Sequence, residues 1–287
     1  MAGDFIVDND GQLSFVAPDP VPRERPPLIA PIHVPLWTRN KARLVREYLI
    51  LFVQVTRHGT YLDAFAGPQD MAFLDTWAAR LVLGVQQLQH FHFFEHHGGG
   101  VVALDMLRAE HADRDITVWP GDVNVRLPDM LRSGAIPPKE ATFCLLDQRT
   151  FECHWATLEM LARHKPPGHY KIELFYFLAE KWLDRALSEQ EDPAPKRAWW
   201  GRDDFDSLRG LPRRERRDRF VQRFVQDLGY RHVAPWPILE RDASDSPVMY
   251  YMIHASDHPA APGFMRRAYT SAVQENPEQM NWSWGLG

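Results

Sequence analysis

Cysteine is scarce in this chain: two residues, Cys144 and Cys153, among 287. They have no metal-site spacing and form no disulfide framework, so a reduced, cytoplasmic protein is expected. Basic charge is not in excess either. The formal net charge is −5, so the whole-molecule field does not favour nucleic acid, and such binding would need a local patch. No apolar run approaches a membrane span. The opening stretch MAGDFIVDNDGQ lacks a basic segment followed by an apolar one, so no signal peptide is expected. No G-x-G-x-x-G follows the first strand candidate, which argues against a dehydrogenase-type dinucleotide site. What remains is ordinary globular composition, 45% hydrophobic and 25% charged, enough for one large domain or two small ones.

Residues 1–35 are proline-rich, as in 17-APDPVPRERPPLIAP-31, and read as an arm with short extended pieces. From Thr38 the pattern becomes helical. Thr38 is a candidate N-cap, and Leu44, Tyr48, Leu51 and Phe52 share one face. Strand and helix signals then alternate. Strands are predicted near 60–65, 90–95, 115–119, 141–147 and 170–178, and helices near 74–87, 99–112, 123–133 and 154–164. Such alternation predicts right-handed βαβ units around a parallel sheet with both faces covered. A polar insertion follows near 188–219. Then come a helix near 213–228, strands near 230–239 and 248–254, and a helix near 259–275. The late strands read as an antiparallel hairpin. No internal repeat is visible. Residues 36–287 are therefore expected to form one domain. Its layout is that of a Rossmann-like class I methyltransferase fold: a mostly parallel seven-stranded sheet, helices on both faces and a closing antiparallel hairpin.

In such a sheet the ligand belongs at the carboxyl ends of the strands. Four predicted strand ends carry acids in sequence order: Asp63 in 63-DAFAGPQ-69, Glu95 in 91-FHFFEHH-97, Asp122 in 119-WPGDVN-124 and Asp147 in 143-FCLLDQRTF-151. A glycine-containing turn admits close backbone approach. An acid ending the second strand can accept both ribose hydroxyls of an adenosine moiety, and one after the third can accept the adenine amino group. The reacting atom would sit at the fourth. Singly, each acid reads as a turn residue, a solvated edge residue or a helix cap. Their recurrence at four successive strand ends favours an adenosyl cofactor.

DAFAGP, GDVN and LLDQRTFECHW, with the upstream 38-TRNKARLVREYL-49, resemble the three-Cys-motif partner proteins (TcmP). These look like class I S-adenosylmethionine-dependent methyltransferases associated with a separate three-cysteine, radical-SAM-like protein. The resemblance runs from about Ile32 to Ala272. LDQRTFECHW is its specific part, whereas DAFAGP is shared with many methyltransferases. It implies Asp63, Phe65, Gly67, Pro68, Glu95 and Asp122 as cofactor-binding residues, with Lys41 reaching the cofactor carboxylate from an amino-terminal segment. By likeness to the fourth-strand motif of amino-methyltransferases, Asp147, Gln148 and Phe151 are expected to orient an acceptor amine, such as that of a nucleobase. The chain departs from the pattern at Gln69-Asp70, where many relatives have glycine. It departs again at Asp147-Gln148-Arg149-Thr150-Phe151, where amino-methyltransferases often carry Asp-Pro-Pro-Tyr. Arg149 suits a phosphate or carboxylate on the substrate, or pairs with Asp147. A catalytically degenerate scaffold that docks the three-Cys partner is the competing expectation.

The remaining clusters are weaker. His90, His92, His96 and His97 crowd one strand and its exit, but partner ligands at metal-site spacing are missing, so satisfied histidines and no metal are expected. Cys153 lacks the preceding proline of cytosine C5 chemistry and reads as an inert thiol. The run 209-RGLPRRERRDR-219, with Lys196, Arg197, Trp199 and Trp200 ahead of it, is the one patch suited to nucleic acid. Its interleaved acids also fit a solvated face or a protein-docking surface.

Overall fold

The computed structural model of the chain describes residues 5–7, 13–15, 36–71, 73–239 and 248–273. Two short strands in the arm, β1 (Phe5–Val7) and β2 (Leu13–Phe15), pair antiparallel. The chain then enters α1 (Leu36–Thr56). This helix starts two residues before Thr38, so Thr38 lies in its first turn and does not cap it. The predicted apolar face holds: Leu44, Tyr48, Leu51 and Phe52 are all buried.

The alternating pattern resolves as β3 (Gly59–Asp63), α2 (Ala78–Val82), β4 (Leu88–Glu95), α3 (Gly98–Glu110), β5 (Asp115–Pro120), α4 (Val123–Arg132), β6 (Thr142–Leu146), α5 (Trp155–Arg163) and β7 (Glu173–Leu178). The helix expected over 74–87 is instead a 3-10 turn (Leu74–Thr76) and the short α2. Trp77 separates them with an extended backbone, φ −86° and ψ 108°, and its indole N–H donates to the Ala66 carbonyl at 2.6 Å. Then follow α6 (Glu180–Glu189), α7 (Pro193–Trp200), α8 (Arg213–Gln226), β8 (His232–Leu239), β9 (Val248–Ser256) and α9 (Ala261–Val273). The turn of the late hairpin lies outside the described residues.

The seven-stranded sheet has the order β5-β4-β3-β6-β7-β9-β8. The first five strands are parallel, and β9 runs antiparallel to both β7 and β8. This is the class I methyltransferase-like sheet expected from the sequence. Strand order reverses between β3 and β6, so a crevice opens there at the carboxyl edge. Pro235 and Pro237 fall on β8, an edge strand, where a missing ladder donor is tolerated.

Alternation along each strand divides the core. Tyr61, Phe91, Phe93, Phe143 and Phe175 pack with α1, α2, α3 and α9 on one face. Leu62, Phe94, Cys144, Leu174 and Tyr176 pack with α4 to α8 on the other. Every strand residue from Glu173 to Leu178 is buried, as a sheet covered on both sides requires.

The polar insertion is not a surface excursion. Trp199, Trp200, Phe205 and Leu208 are buried in the second core. Asp192 caps α7 by accepting from the Ala194 N–H at 2.9 Å. The two tryptophans are thus unavailable to stack on bases, which removes the aromatic half of the patch inferred from sequence. Lys196 and Arg216 of the same stretch are buried as well. No described helix is long and apolar enough to cross a membrane.

Candidate functional site

β3 ends in Asp63, whose side chain is buried. Its carboxylate accepts from the Tyr61 hydroxyl at 3.1 Å and from the Phe65 N–H at 3.1 Å. Burial dominates those two bonds, and with Asp147 and Glu95 nearby it raises the Asp63 carboxyl to about 7.

The small residues that follow answer to Glu95 at the end of β4. Glu95 accepts from the Gly67 N–H at 2.8 Å and from the His97 N–H at 2.7 Å. A Cβ at Gly67 would stand 2.1 Å from Glu95 Oε2, and one at Gly100 would stand 2.7 Å from its Cγ. Glycine at both places lets the carboxylate lie between the turn and α3. Each of its oxygens takes one backbone N–H and keeps acceptor capacity for a further donor such as a sugar hydroxyl. Gly67→Ala is expected to displace Glu95 and weaken cofactor binding at least about tenfold, with little change in secondary structure; calorimetric titration checks this.

After β5, Gly121 adopts φ +116° and donates its N–H to the Glu95 carbonyl at 2.8 Å. Asp122 caps α4, accepting the Asn124 N–H at 2.8 Å. Asn124 escaped the sequence reading. Its amide donates to the Glu152 carbonyl at 2.7 Å and accepts from the His154 N–H and the Thr157 hydroxyl at 2.9 and 2.7 Å. It ties the loop after β5 to the loop after β6. The Asp-x-Asn spacing was its only local signal.

At the end of β6, Asp147 meets Lys41 of α1, whose ammonium lies 2.7 and 2.8 Å from the two carboxylate oxygens. Lys41 is itself buried and sits over the Tyr250 ring at 4.6 Å. Asp147 therefore pairs with Lys41, not with Arg149. Gln148 is buried. Its amide donates to the Tyr176 hydroxyl and accepts the Cys153 N–H at 3.0 Å. Phe151 packs edge-on against Trp199, ring centres 5.0 Å apart. Of the three residues expected to orient an acceptor, the structure brings only Asp147 to the cleft. Gln148 and Phe151 turn into the second core because the loop after β6 needs its own internal bonds.

The cleft comprises two adjoining cavities that share Phe65, Gly67, Gln69 and Asp147. The smaller, about 30 Å³, also reaches Lys41 and Asp63. The larger, about 340 Å³, reaches Pro68, Glu95, Asp122 and Arg149. All seven residues expected to bind cofactor line one or the other. Their chemistry fits an adenosyl sulfonium compound. Acids front the larger cavity where a ribose and an adenine amine would lie. A buried acid and a lysine front the smaller one, where an amino acid moiety would lie.

Of the four clustered histidines, His96 and His97 line the larger cavity, whereas His90 and His92 do not. His90 pairs with Asp115 at 2.6 Å, and His92 faces the Trp119 indole N–H at 3.3 Å. Burial holds His92 down at about 4. Among the described residues no group of three His, Cys, Asp or Glu could hold a metal ion. Cys153 is fully buried, and burial raises its thiol well above the ordinary range, which makes it unreactive.

No known protein family matches the chain by its sequence pattern, and no curated protein matches it significantly. Solved structures do match in shape. TYW2 of M. jannaschii in complex with AdoMet is 11% identical with a TM-score of 0.39, covering 79% of this chain and 77% of that one. TYW2 of P. horikoshii with MeSAdo is 12% identical at 0.35, covering 88% and 70%. Trm5b of Pyrococcus abyssi is 14% identical at 0.36, covering 75% of this chain and 48% of that one. Likeness at this level carries no weight for the chemistry of this chain, whose fold rests on its own strand order.

Proposed function

We propose that the cleft binds S-adenosylmethionine and that the protein is a methyltransferase acting on an amine. One observation carries this reading. Asp63, Glu95, Asp122 and Asp147 close four strands of a class I-type sheet and front one continuous cleft at its carboxyl edge. Glu95 would accept the ribose hydroxyls and Asp122 the adenine amino group. Asp63 would face the cation of the amino acid moiety, and Lys41 its carboxylate, in competition with Asp147. When bound, the cofactor supplies an electrophilic methyl on a sulfonium centre. Asp147 holds the acceptor by taking a hydrogen bond from its N–H, and leaves the nitrogen lone pair free to point at the methyl. Transfer of this kind relies on positioning, so the cleft needs no strong base.

The resemblance in 143-FCLLDQRTFECHW-155 supports placing the chain with the three-Cys-motif partner proteins, and with them a three-cysteine partner protein. The second reading, a catalytically silent scaffold that docks that partner, is favoured by two features. Lys41 locks Asp147 with both oxygens engaged. The Gln148 amide is bonded at both ends within the core. The exposed arginines of 209–219 would then serve the partner rather than a nucleic acid.

Calorimetric titration with S-adenosylmethionine separates the two readings. The methyltransferase reading expects micromolar binding that Glu95→Ala weakens at least about a hundredfold, near 3 kcal/mol, and that Asp147→Ala, which releases Lys41, does not weaken. An intact chain that binds no cofactor overturns it in favour of the scaffold.

A further inference from the structure

A second cavity, about 240 Å³, opens at the opposite edge of the sheet. Thr142 and Glu173, the first residues of β6 and β7, and Ser256, the last of the antiparallel β9, lie at its base. It therefore sits at the amino ends of the parallel strands, away from the cleft. The carboxyl-terminal turn of α1 forms one wall and the start of α9 another.

Its polar base is already satisfied. The Glu173 carboxylate is buried and accepts from the Tyr48 hydroxyl, from Ser256 Oγ at 2.8 Å and, with His254 Nε2 as donor, across 2.8 Å. The Glu173 carboxylate thus has its own donors within the protein. The walls are aromatic and aliphatic: Phe52, Val55, Pro138, Tyr170 and Phe264. Tyr170 and Val55 are exposed at 53% and 47%, and so form the mouth.

One wall carries charge that the protein does not fully use. Lys165, 8% exposed, donates to the Glu140 main-chain carbonyl, which occupies one of the three N–H donors of its ammonium. The Glu140 carboxylate pairs with His58 at 3.1 Å. Lys171 pairs with Asp257 at 3.1 Å. Lys139, exposed, adds a third lysine to the lining. Burial holds the Lys165 ammonium at about 8, against the pull of the nearby Glu140 carboxylate, the mark of a cation short of solvation.

We propose that this cavity is a second ligand site, which takes a small aromatic carboxylate. The rings of Phe52, Tyr170 and Phe264 pack on the ligand's aromatic body, and Lys165 receives its anionic group in a charge-assisted hydrogen bond. A single carboxylate matches a single nearly buried ammonium, whereas a neutral compound leaves that ammonium unsatisfied.

The test is calorimetric titration of the full chain with 1-naphthoate and with its neutral counterpart, 1-naphthamide. Saturable one-to-one binding of naphthoate is expected, with the amide at least about tenfold weaker. Lys165→Met is expected to weaken naphthoate by a similar factor and to leave the amide nearly unchanged. Val55→Trp, a substitution at the exposed mouth that the fold tolerates, is expected to abolish binding of both and to leave S-adenosylmethionine binding as it was. The proposal is overturned if naphthoate does not saturate, or if both variants bind it as the intact protein does.

Discussion

Asp63→Asn is expected to stabilise the folded protein by about 4 kcal/mol above pH 7 and, in the same step, to weaken S-adenosylmethionine binding. The stability follows from where the acid sits. Its carboxyl rises from the ordinary 3.8 to about 7, with burial as the main cause. Between those two values the folded state holds a proton that the unfolded state has released. Stability from this residue therefore falls as pH rises across that window. It reaches its full penalty above about pH 7, roughly three units at 1.36 kcal/mol each. Asparagine has no charge to desolvate. It can still accept from the Phe65 N–H, and the Tyr61 hydroxyl can rotate to accept from its amide. Urea unfolding at a series of pH values checks this: the gain should be near zero below pH 4 and largest at pH 8. The binding loss follows from the same charge. A buried carboxylate that is costly to ionise becomes favourable beside a cation, and the proposed cofactor carries two, a sulfonium and an ammonium. Binding to the native protein should weaken as pH falls through about 7. The asparagine variant should show little of that dependence.

Arg216→Met is expected to destabilise the protein by about 3–5 kcal/mol. Arg216 is fully buried, and its guanidinium donates to Glu180, also fully buried, at 2.6 and 3.0 Å. A further contact reaches Asp184 at the rim. Removing the cation leaves the Glu180 carboxylate in an apolar site with its main counter-charge gone. Burial already raises that carboxyl, and Arg216 opposes the rise. The loss should therefore grow with pH, as the unfolded state ionises and the folded state resists. Replacing Glu180 as well, in the Glu180→Met/Arg216→Met double variant, should recover most of the stability, because two well-packed apolar residues need no pairing. A double-mutant cycle in urea measures the difference.

That arginine also shows where the sequence stopped being readable. In 209-RGLPRRERRDR-219 it has the same local signature as its neighbours, and nothing nearby reveals that α8 turns it inward against a residue 36 positions earlier. The same holds for Lys41 and Asp147, paired across 106 positions, and for the second cavity, assembled from separate segments of α1, β6, β7, β9 and α9. Strand ends were legible because an apolar run, an acid and a thin turn are adjacent in sequence. Helix 74–87 was misread because the local pattern did not reveal the extended backbone at Trp77, whose indole reaches back to Ala66. Gln148 and Phe151 lie against the second core, which the motif could not show, because a motif gives residue type and position while the direction of a side chain is set by what it packs against. Trp199 and Trp200 were taken for surface residues because their polar surroundings hid that α7 lies on the second core.

Helix α1 places Lys41 in the cleft at one end, and Phe52, Val55 and Thr56 in the second cavity at the other. Fifteen residues of helix separate Lys41 from Thr56, a rigid rod of about 22 Å at 1.5 Å per residue. A rod cannot shift at one end alone. Any occupant that prefers one seating of α1 at the lower edge must bias the Lys41–Asp147 contact at the upper edge. By reciprocity, a cofactor whose binding moved α1 itself, and not only the Lys41 side chain, would alter affinity below by the same factor. The cleft and the second cavity share no lining residue, and among the described helices α1 is the one rod that reaches from the first to the second.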